Sequence, residues 1–398
     1  MVSVAVTGVV GIMGLVGLTG CDDGDEPEPV VEVKEVGRTV LVYIVANNNL
    51  GSSYFGDVRG FDGLDIEEMK QAALNGAFGD NRLILFHAPY RGIPAIKEVG
   101  KDGTVRTLEE FSADVPATSA VRMAEVIDEV KRLSPARSYG LVLWSHASGW
   151  IEDGIDEEPP YGDGGDRGLK SFGTDGGKTM NVTTLARVLD GRGFDFVWFD
   201  CCHMTTVEVA YELRNVTDMI AGSASELPSA GMPYDLTLPY LMQDEADVAG
   251  AAAQVFGYYD AKKGWERTCT MSVIDTGGLD ALASASHRLF SLADRRLDGT
   301  GIQRFRATGS YYDFGHYMER LAAPAIEGGN PEVRDAYENV VRALEETVVY
   351  SAATPWLWEG RDWESVKIDH HCGLSSYIVS YKGGEYVSVS YTHLRAHE

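Results

Sequence analysis

The chain has 398 residues, of which 44% are hydrophobic and 24% are charged, a composition typical of a globular protein with one or two cores. Its formal net charge at pH 7 is -26, from 34 Lys and Arg against 60 Asp and Glu. This balance argues against a basic surface, and therefore against a nucleic-acid partner, and it favours cationic substrates.

The N-terminal segment 1–21 resembles a lipoprotein signal peptide. Residues 1–20 carry no charge and are rich in Val, Gly and Leu, although such signals usually begin with a Lys or Arg. The sequence Leu-Thr-Gly-Cys at 18–21 resembles a lipobox, which predicts a lipid on Cys21. The alternative is an apolar strand or helix of the fold. The acidic, Pro-containing residues 22–37 predict a tether. An exported protein is therefore expected, either anchored to the outer membrane or cell surface through its lipid or secreted.

Strands that alternate with helices follow the tether. Continuous apolar, β-branched runs predict strands that are buried on both faces. They lie at 39–46, 82–87, 139–145, 194–199, 218–223 and 270–274. Ser119 to Leu133 has the periodicity of an amphipathic helix, and Ile96 to Leu108, with Gly and Asp at its centre, predicts a β-hairpin. This alternation predicts an α/β fold, a mostly parallel sheet flanked by helices.

Two regions follow the predicted tether, and a short C-terminal tail of unrelated sequence follows them. The strand-and-helix pattern extends over 38–293 and predicts the main domain. Helical patterns dominate beyond it, most clearly at 333–349, and predict a smaller, mainly helical C-terminal subdomain over 294–386. Residues 387–398 show no relation to what precedes them and resemble translated sequencing-adapter sequence.

Two predicted strands end in reactive side chains. His146 follows the strand at 139–145, and Cys202 follows the strand at 194–199, 56 positions later. The carboxyl ends of parallel strands meet at one edge of a sheet, so these side chains can come within hydrogen-bond reach. An imidazole that takes the proton of a thiol activates it as a nucleophile. A helix expected to begin near Thr205 would favour the thiolate further through its N-terminal dipole.

The neighbours of Cys202 admit other interpretations. Cys201 is an alternative nucleophile, but consecutive residues of a strand point to opposite faces, and a buried free cysteine behaves as a small hydrophobic residue. A metal site built from Cys201, Cys202 and His203 is disfavoured because consecutive residues splay apart. The cluster at 370–372, His-His-Cys, is interpreted as structural, so no metal site is predicted.

These motifs resemble those of the clostripain-like cysteine peptidases, in the clan of caspases, gingipains and legumains. Residues 145–150, Ser-His-Ala-Ser-Gly-Trp, are similar to the family's S-H-G-x-G-W, and residues 199–204, Phe-Asp-Cys-Cys-His-Met, to its F-D-A-C-x-M. The likeness extends over about 39–378. It implies a caspase-like fold and a cysteine endopeptidase that forms an acyl-enzyme, with Cys202 as nucleophile and His146 as its partner.

The resemblance also implies an oxyanion hole formed by the backbone N–H groups of Ala147 and Cys202. Ala147 stands where the family has Gly, and would be strained if that position required a positive φ. His203 replaces a usually apolar residue and is interpreted as a packing change. A catalytically impaired, surface-anchored binding protein on the same fold is therefore the alternative function. Transfer of the acyl group to an amine is a third hypothesis.

The resemblance further implies the substrates and the activation of the peptidase. Asp200, expected on the same side of the strand end as Cys202, resembles an acid of the family's S1 pocket, which implies peptide or protein substrates with Arg or Lys at P1. Its alternative role is to cap the following turn or helix. Self-cleavage is expected at Lys170, with Arg167 as the second candidate. No cofactor is required, and the seven carboxylates within 152–166 are interpreted as a solvated insertion, with a Ca²⁺ site as the alternative. Membrane contact is expected through the lipid anchor only.

Overall fold

The computed structural model describes residues 34–52, 60–150, 171–293, 297, 299–306, 311–362 and 364–378. The strands of these ranges are β1 (Val36–Val45), β2 (Arg82–Ala88), β3 (Ala95–Val99), β4 (Val105–Glu110), β5 (Ala136–Trp144), β6 (Ser171–Asp175), β7 (Lys178–Asn181), β8 (Phe194–Asp200), β9 (Thr217–Gly222), β10 (Thr270–Asp275), β11 (Tyr311–Asp313), β12 (Val348–Ala353), β13 (Trp356–Leu357), β14 (Val366–Lys367) and β15 (Ser375–Tyr377). The helices are α1 (Phe61–Leu74), α2 (Ala120–Leu133), α3 (Val182–Leu189), α4 (Val207–Glu212), α5 (Tyr234–Leu241), α6 (Val248–Asp260), α7 (Leu279–Leu292), α8 (Phe314–Glu327) and α9 (Pro331–Thr347).

One large sheet organises these elements. Its nine described strands lie in the order β12-β10-β9-β8-β5-β1-β2-β3-β4. The five central strands, β9, β8, β5, β1 and β2, run parallel to one another. Beyond them, β10 and β12 at one edge and β3 and β4 at the other are joined by antiparallel pairing. The predicted α/β sheet is confirmed, but the last strand of the predicted set, β10, runs antiparallel to β9. A β-branched run predicts a strand and not its direction, because both pairings bury the same side chains.

Two apolar cores cover the two faces of this sheet. Alternate residues of β1 point to opposite faces, so that Tyr43 and Val45 enter one core while Val42 and Ile44 enter the other. All four side chains are completely buried. Each burial stabilises the fold by about 1.5–3 kcal/mol relative to an exposed side chain. This explains why β1 has a continuous apolar sequence rather than an alternating one.

Local signals in the sequence fix several elements. The hydroxyl oxygen of Ser119 accepts a hydrogen bond from the backbone N–H of Arg122 at 3.2 Å and so caps α2. The apolar face of α2 is buried through Met123, Val126, Ile127 and Val130. The predicted hairpin is confirmed as the antiparallel pair β3 and β4. Among the described residues, no helix has both the length and the apolar character needed to cross a membrane.

The C-terminal region is joined closely to the sheet. It contributes two long helices, α8 and α9, as the helical pattern predicts. It also supplies β12, which pairs with β10 and forms one edge of the large sheet. A short sheet of β11 and β15 lies beside α4, where the N–H of Ser375 donates to the carbonyl of Thr205 at 2.9 Å. The C-terminal region therefore reaches the segment that follows Cys202.

Cysteines are unpaired throughout the described part of the chain. Cys201 and Cys269 are buried, whereas Cys202 and Cys372 are half-buried. The sulfur of Cys372 accepts from the N–H of Gly315 and donates to the carbonyl of Leu374, both at 3.2 Å. The fold is therefore stabilised by packing and hydrogen bonds in the described regions, without disulfides.

Candidate active site

Two neighbouring parallel strands carry the candidate dyad. β5 and β8 pair in a register that sets Trp144 opposite Asp200, the last residue of each strand. His146 and Cys202 each lie two residues beyond this pair, so their loops leave the sheet at the same edge. The loops also touch, since a Cβ atom added to Gly149 would lie 2.6 Å from the carbonyl oxygen of His203.

His146 is oriented by an asparagine that follows β1. Its Nε2 lies 2.6 Å from Oδ1 of Asn49, and an amide oxygen can only accept, so Nε2 carries the proton. The lone pair of the neutral ring is then on Nδ1, which is available as a base. Burial lowers the pKa of His146, which keeps the ring neutral at pH 7. Sequence reasoning missed Asn49, for which the Asn triplet at 47–49 was the only signal.

Further hydrogen bonds attach the His146 loop to β1 and β6. The hydroxyl of Ser145, which precedes His146, donates to the carbonyl of Val45 at 2.8 Å and accepts from the N–H of Thr174 at 3.1 Å. The N–H of Gly173 donates to the carbonyl of His146 at 2.9 Å. The loop is therefore held from two directions by backbone groups, which restricts the positions that the imidazole can take.

Ala147 is free of the backbone strain considered for it. Among the described residues other than glycine, a positive φ occurs only at Arg91, His203 and Trp358. The position of the motif that needs a positive φ is Gly149 instead, with φ of 68°, which glycine adopts without strain. Ala147 pairs with Phe172 in an isolated antiparallel bridge, which fixes its peptide. The substitution of the family's Gly by Ala therefore gives no structural reason for an impaired site.

Cys202 is a half-buried thiol in acidic surroundings. Burial, followed by the charge of Glu226, raises the pKa of Cys202 to about 12, against the lowering effect of the Leu227 N–H and of Arg306. Glu226 itself forms an ion pair with Arg306 at 3.1 Å. The helix expected near Thr205 begins at Val207 as α4 and has only six residues, and the pKa of Cys202 is raised despite it. Cys202 is protonated in this state.

The residues on either side of Cys202 have packing roles. Cys201 is 3% exposed and lies in an apolar core, and burial raises its pKa well above the usual value. His203 is also buried, and its ring stacks on Tyr311 with centroids 4.5 Å apart. Burial lowers the pKa of His203 to about 3, so the ring stays neutral. Neither residue is arranged to ligate a metal or to attack a substrate.

Asp200 is buried beneath the end of β8. Its side chain accepts one hydrogen bond from the N–H of Met232 and one from the hydroxyl of Tyr234, each at 2.9 Å. Gly231, with φ of 61°, leaves room for the carboxylate, since an added Cβ would lie 2.9 Å from it. Burial raises the pKa of Asp200 to about 7. The alternative role of Asp200 as a helix cap is wrong, because the side chain of Thr206 caps α4.

Two further carboxylates from α1 surround this position. Asp65 is 2% exposed and accepts from Nε1 of Trp144 at 2.6 Å, and Glu68 accepts from the N–H of Tyr234 at 2.9 Å. Burial and then the charge of Asp200 raise the pKa of Asp65 well above its usual value. In the described part of the chain, Asp65, Glu68 and Asp200 form no ion pair with Lys or Arg. Sequence reasoning missed Asp65, which the spacing of acids along α1 could have indicated.

One cluster of potential metal ligands lies away from this site. The ligand atoms of His316, Glu319 and His370 lie within 4.8 Å of one another. However, the two imidazoles stack with centroids 3.7 Å apart, so their in-plane lone pairs do not converge. Nδ1 of His316 also accepts a hydrogen bond from the N–H of Gln303 at 3.0 Å, which leaves the proton on Nε2. This arrangement fits a metal ion poorly.

Several predicted residues lie outside the described ranges. They are Cys21, the carboxylates within 152–166, and the candidate cleavage residues Arg167 and Lys170. The described chain resumes at Ser171, which begins β6. Phe172, the next residue, pairs with Ala147, so β6 adjoins the His146 loop.

A histidine loop and a cysteine loop at adjacent strand ends, on a mixed sheet flanked by helices, define a caspase-like cysteine peptidase. The model of the clostripain family matches residues 42–354, most of the chain. The chain therefore belongs to the clostripain family, and it is a cysteine peptidase that hydrolyses peptides. A comparison with curated proteins found no match.

Solved structures of similar proteins agree with this assignment. An inactive zymogen of a C11 protease from Parabacteroides distasonis is 25% identical, with a TM-score of 0.71, and the match covers 88% of this chain and 94% of that one. A secreted C11 cysteine protease from Bacteroides thetaiotaomicron, called iotapain, is 24% identical, with a TM-score of 0.73 and coverages of 87% and 94%. A secreted C11 protease of that organism in complex with an irreversible peptide inhibitor is 23% identical, with a TM-score of 0.71 and coverages of 90% and 99%. The last two establish the fold alone.

Proposed function

We propose that this peptidase cleaves after Arg or Lys through a catalytic dyad of Cys202 and His146. The register of β5 and β8 is the observation that supports the dyad most strongly, because it starts both loops at the same edge of the sheet. Gly149 also lies against His203, so the two loops remain in contact beyond the ends of the strands. This contact supports the dyad as well. Asn49 completes the arrangement as the residue that orients the imidazole.

The reaction starts from a protonated thiol. As the sulfur of Cys202 attacks the carbonyl carbon of the substrate, Nδ1 of His146 takes the thiol proton. The N–H groups of Ala147 and Cys202 donate to the oxyanion. His146 then gives its proton to the leaving amine, which leaves a thioester between Cys202 and the acyl fragment. Water, deprotonated by His146, hydrolyses this thioester and restores the thiol.

The preference for a cationic P1 residue rests on the buried acids. Asp200 lies two residues before the nucleophile, and the carboxyl groups of Asp65 and Glu68 lie near it. Buried charges are normally paired, and these acids have no cationic partner among the described residues. A guanidinium or ammonium group of the substrate would supply that partner and form charge-assisted hydrogen bonds with Asp200. Such binding would also lower the pKa of Asp200 and keep it ionised.

A direct experiment tests the dyad with fluorogenic peptides that end in Arg or Lys. Cys202→Ala and His146→Ala should each reduce turnover by about 10³-fold or more. Cys201→Ala is the matched control, because it removes the neighbouring thiol and should keep activity. Turnover that survives both dyad substitutions would reject the assignment. A norleucine peptide, similar in shape to Lys but uncharged, tests the P1 preference, and equal cleavage of both peptides would exclude it.

Self-cleavage after Lys170 is the proposed activation step. It is supported by the position of the next residues, since β6 begins at Ser171 and Phe172 pairs with Ala147. A cut there would release a new chain end beside the His146 loop. Intact mass after incubation should reveal a fragment that begins at Ser171 in the wild type and not in Cys202→Ala. A fragment with another N-terminus, or full activity of an uncleaved chain, would contradict this proposal.

An extracytoplasmic location with a lipid on Cys21 is proposed from the sequence of residues 1–21. The proposal predicts that the protein expressed in a bacterium partitions with membranes. Cys21→Ala should then move it to the soluble fraction, while peptidase activity is unchanged. Equal partitioning of the wild type and the variant would argue against the lipid anchor.

A further inference from the structure

Tyr311 lies between the two loops that carry the proposed dyad. It begins β11, about a hundred residues after Cys202, and its side chain is buried. Its hydroxyl donates a hydrogen bond to the carbonyl oxygen of Ser148, two residues after His146. A residue of the C-terminal region therefore binds the backbone of the His146 loop directly.

The ring of Tyr311 also contacts the Cys202 loop. It stacks on the imidazole of His203, with centroids 4.5 Å apart and ring planes inclined by only 9°. His203 follows Cys202 directly and has φ of 59°, a conformation that is costly for a residue with a side chain. The N–H of His203 donates to Ser225 at 3.0 Å, and its Nδ1 lies 3.3 Å from the carbonyl of Ala224. The stacked ring and these hydrogen bonds hold the turn after the nucleophile.

Gly149 makes this arrangement possible. A Cβ at position 149 would lie 2.6 Å from the carbonyl oxygen of His203 and 2.8 Å from the hydroxyl oxygen of Tyr311. Only the absence of a side chain at this point lets the three segments meet. The motif glycine is thus required by its contacts as well as by its φ of 68°.

Tyr311 is itself held by its own short sheet. It pairs with Tyr377 across β11 and β15, and the two rings contact edge to face with centroids 6.1 Å apart. β15 is anchored in turn to the segment after the nucleophile, because the N–H of Ser375 donates to Thr205. Tyr311 therefore has little freedom to move independently of the Cys202 loop.

We propose that Tyr311 is a positioning residue that sets the separation between the nucleophile and the His146 loop. Its hydroxyl binds the carbonyl of Ser148, the residue after Ala147, whose N–H is one of the proposed oxyanion donors. Its ring packs on the imidazole of His203, the residue after the nucleophile Cys202. Because the oxyanion donors must be aligned with the attacking sulfur, a small relaxation of either loop lowers the rate of the chemical step. This inference rests on the proposed dyad.

Tyr311→Phe tests the hydroxyl while it keeps the stacked ring. We expect kcat for a peptide substrate to fall by about tenfold or more, with KM within about twofold, because alignment matters in the transition state more than in binding. Tyr43→Phe is the matched control, since Tyr43 is a fully buried tyrosine whose hydroxyl donates to the carbonyl of Ala117 at 2.7 Å. It should lower the melting temperature to a similar extent and leave kcat unchanged.

A second variant and a second reaction complete the test. Tyr311→Leu also removes the stack on His203, and should lower kcat further than Tyr311→Phe. Alkylation of Cys202 by iodoacetamide needs no oxyanion hole, so Tyr311→Phe should slow alkylation less than it slows peptide turnover. A wild-type kcat in Tyr311→Phe, or an equal loss in Tyr43→Phe, would overturn the inference. Turnover by Cys202→Ala would instead reject the dyad itself.

Discussion

The two loops of the site are held by different forces. The His146 loop is held by polar contacts, with Asn49 on the ring, Gly173 on the backbone and the hydroxyl of Ser145 on β1. The Cys202 loop is held by burial, with Cys201 in an apolar core and His203 stacked on Tyr311. Hydrogen bonds direct the base to a particular tautomer, whereas burial keeps the nucleophile protonated until it reacts.

Burial has opposite effects on the two groups, because an imidazole is charged when it is protonated and a thiol is charged when it has lost its proton. Burial lowers the pKa of His146 and raises the pKa of Cys202, so both groups are neutral at pH 7. The resting pair is therefore a thiol and an imidazole, not an ion pair. Changes to polar contacts should affect the His146 loop, and changes to volume or charge should affect the Cys202 loop.

The largest effect is expected where the loops touch. Gly149→Ala would bring a methyl group into the carbonyl of His203 and the hydroxyl of Tyr311, so turnover should fall by about 10²-fold or more. Gly191→Ala is the control, since Gly191 has the same φ of 68° with no atom within 4 Å of an added Cβ. Backbone strain should cost each variant about 1 kcal/mol of stability, and the clash should destabilise Gly149→Ala further. Equal activity of the two variants would show that the contact is unimportant.

The next effect separates orientation from charge at His146. Asn49→Ala removes the acceptor that fixes the tautomer, and should lower kcat by about tenfold or more. Asn49→Asp keeps an acceptor and adds a negative charge, which should raise the pKa of His146 and move the acidic limb of the pH–rate profile to higher pH. Asn339→Ala, on the exposed side of α9, is the control. If the acidic limb of the pH–rate profile does not move in Asn49→Asp, the contact between Asn49 and His146 is contradicted.

The pH dependence of specificity tests the buried acids. The pKa of Asp200 is about 7, so below that pH the carboxyl becomes neutral and loses its attraction for a cationic P1 residue. For an Arg peptide, kcat/KM should therefore fall by about tenfold from pH 8 to pH 6. For a norleucine peptide, kcat/KM should not fall over this pH range. Its P1 side chain has no charge for Asp200 to attract, and His146 stays neutral because its pKa is lowered from the ordinary value. Asp200→Asn should remove the difference between the peptides, and parallel profiles in the wild type would disprove the role of Asp200.

The smallest effect concerns charge near the nucleophile. Glu226→Gln removes the charge that raises the pKa of Cys202, while it keeps a polar partner for Arg306. Alkylation of Cys202 at pH 8, followed by mass spectrometry, should become about three- to tenfold faster. Glu332→Gln, whose pair with Arg288 is exposed and 3.8 Å long, should leave the rate unchanged. An unchanged rate in Glu226→Gln would mean that burial alone controls the thiol.

The sequence predicts much of this molecule because the central strands are buried on both faces. Continuous apolar runs mark β1, β5 and β8, and the reactive residues stand immediately after two of them. The edge strands are harder to orient, since their sequences do not encode a direction. Asn49 and Tyr311 were missed because their contacts join positions that are 97 and 163 residues apart, from Asn49 to His146 and from Ser148 to Tyr311. The pKa of Cys202 also depends on neighbours that only the folded chain brings close.

The distribution of free thiols has a consequence for the lifetime of the enzyme under oxidants. Burial raises the pKa of Cys201 and Cys269, and the sulfur of Cys372 is engaged by two backbone groups, so these three react slowly with peroxide or with other disulfides. The pKa of Cys202 is raised as well, but this thiol is only half-buried and has His146 as its proposed base, so damage should concentrate on it. Oxidation of this residue to a sulfenic acid would switch the enzyme off without unfolding it, and a thiol reductant would restore it.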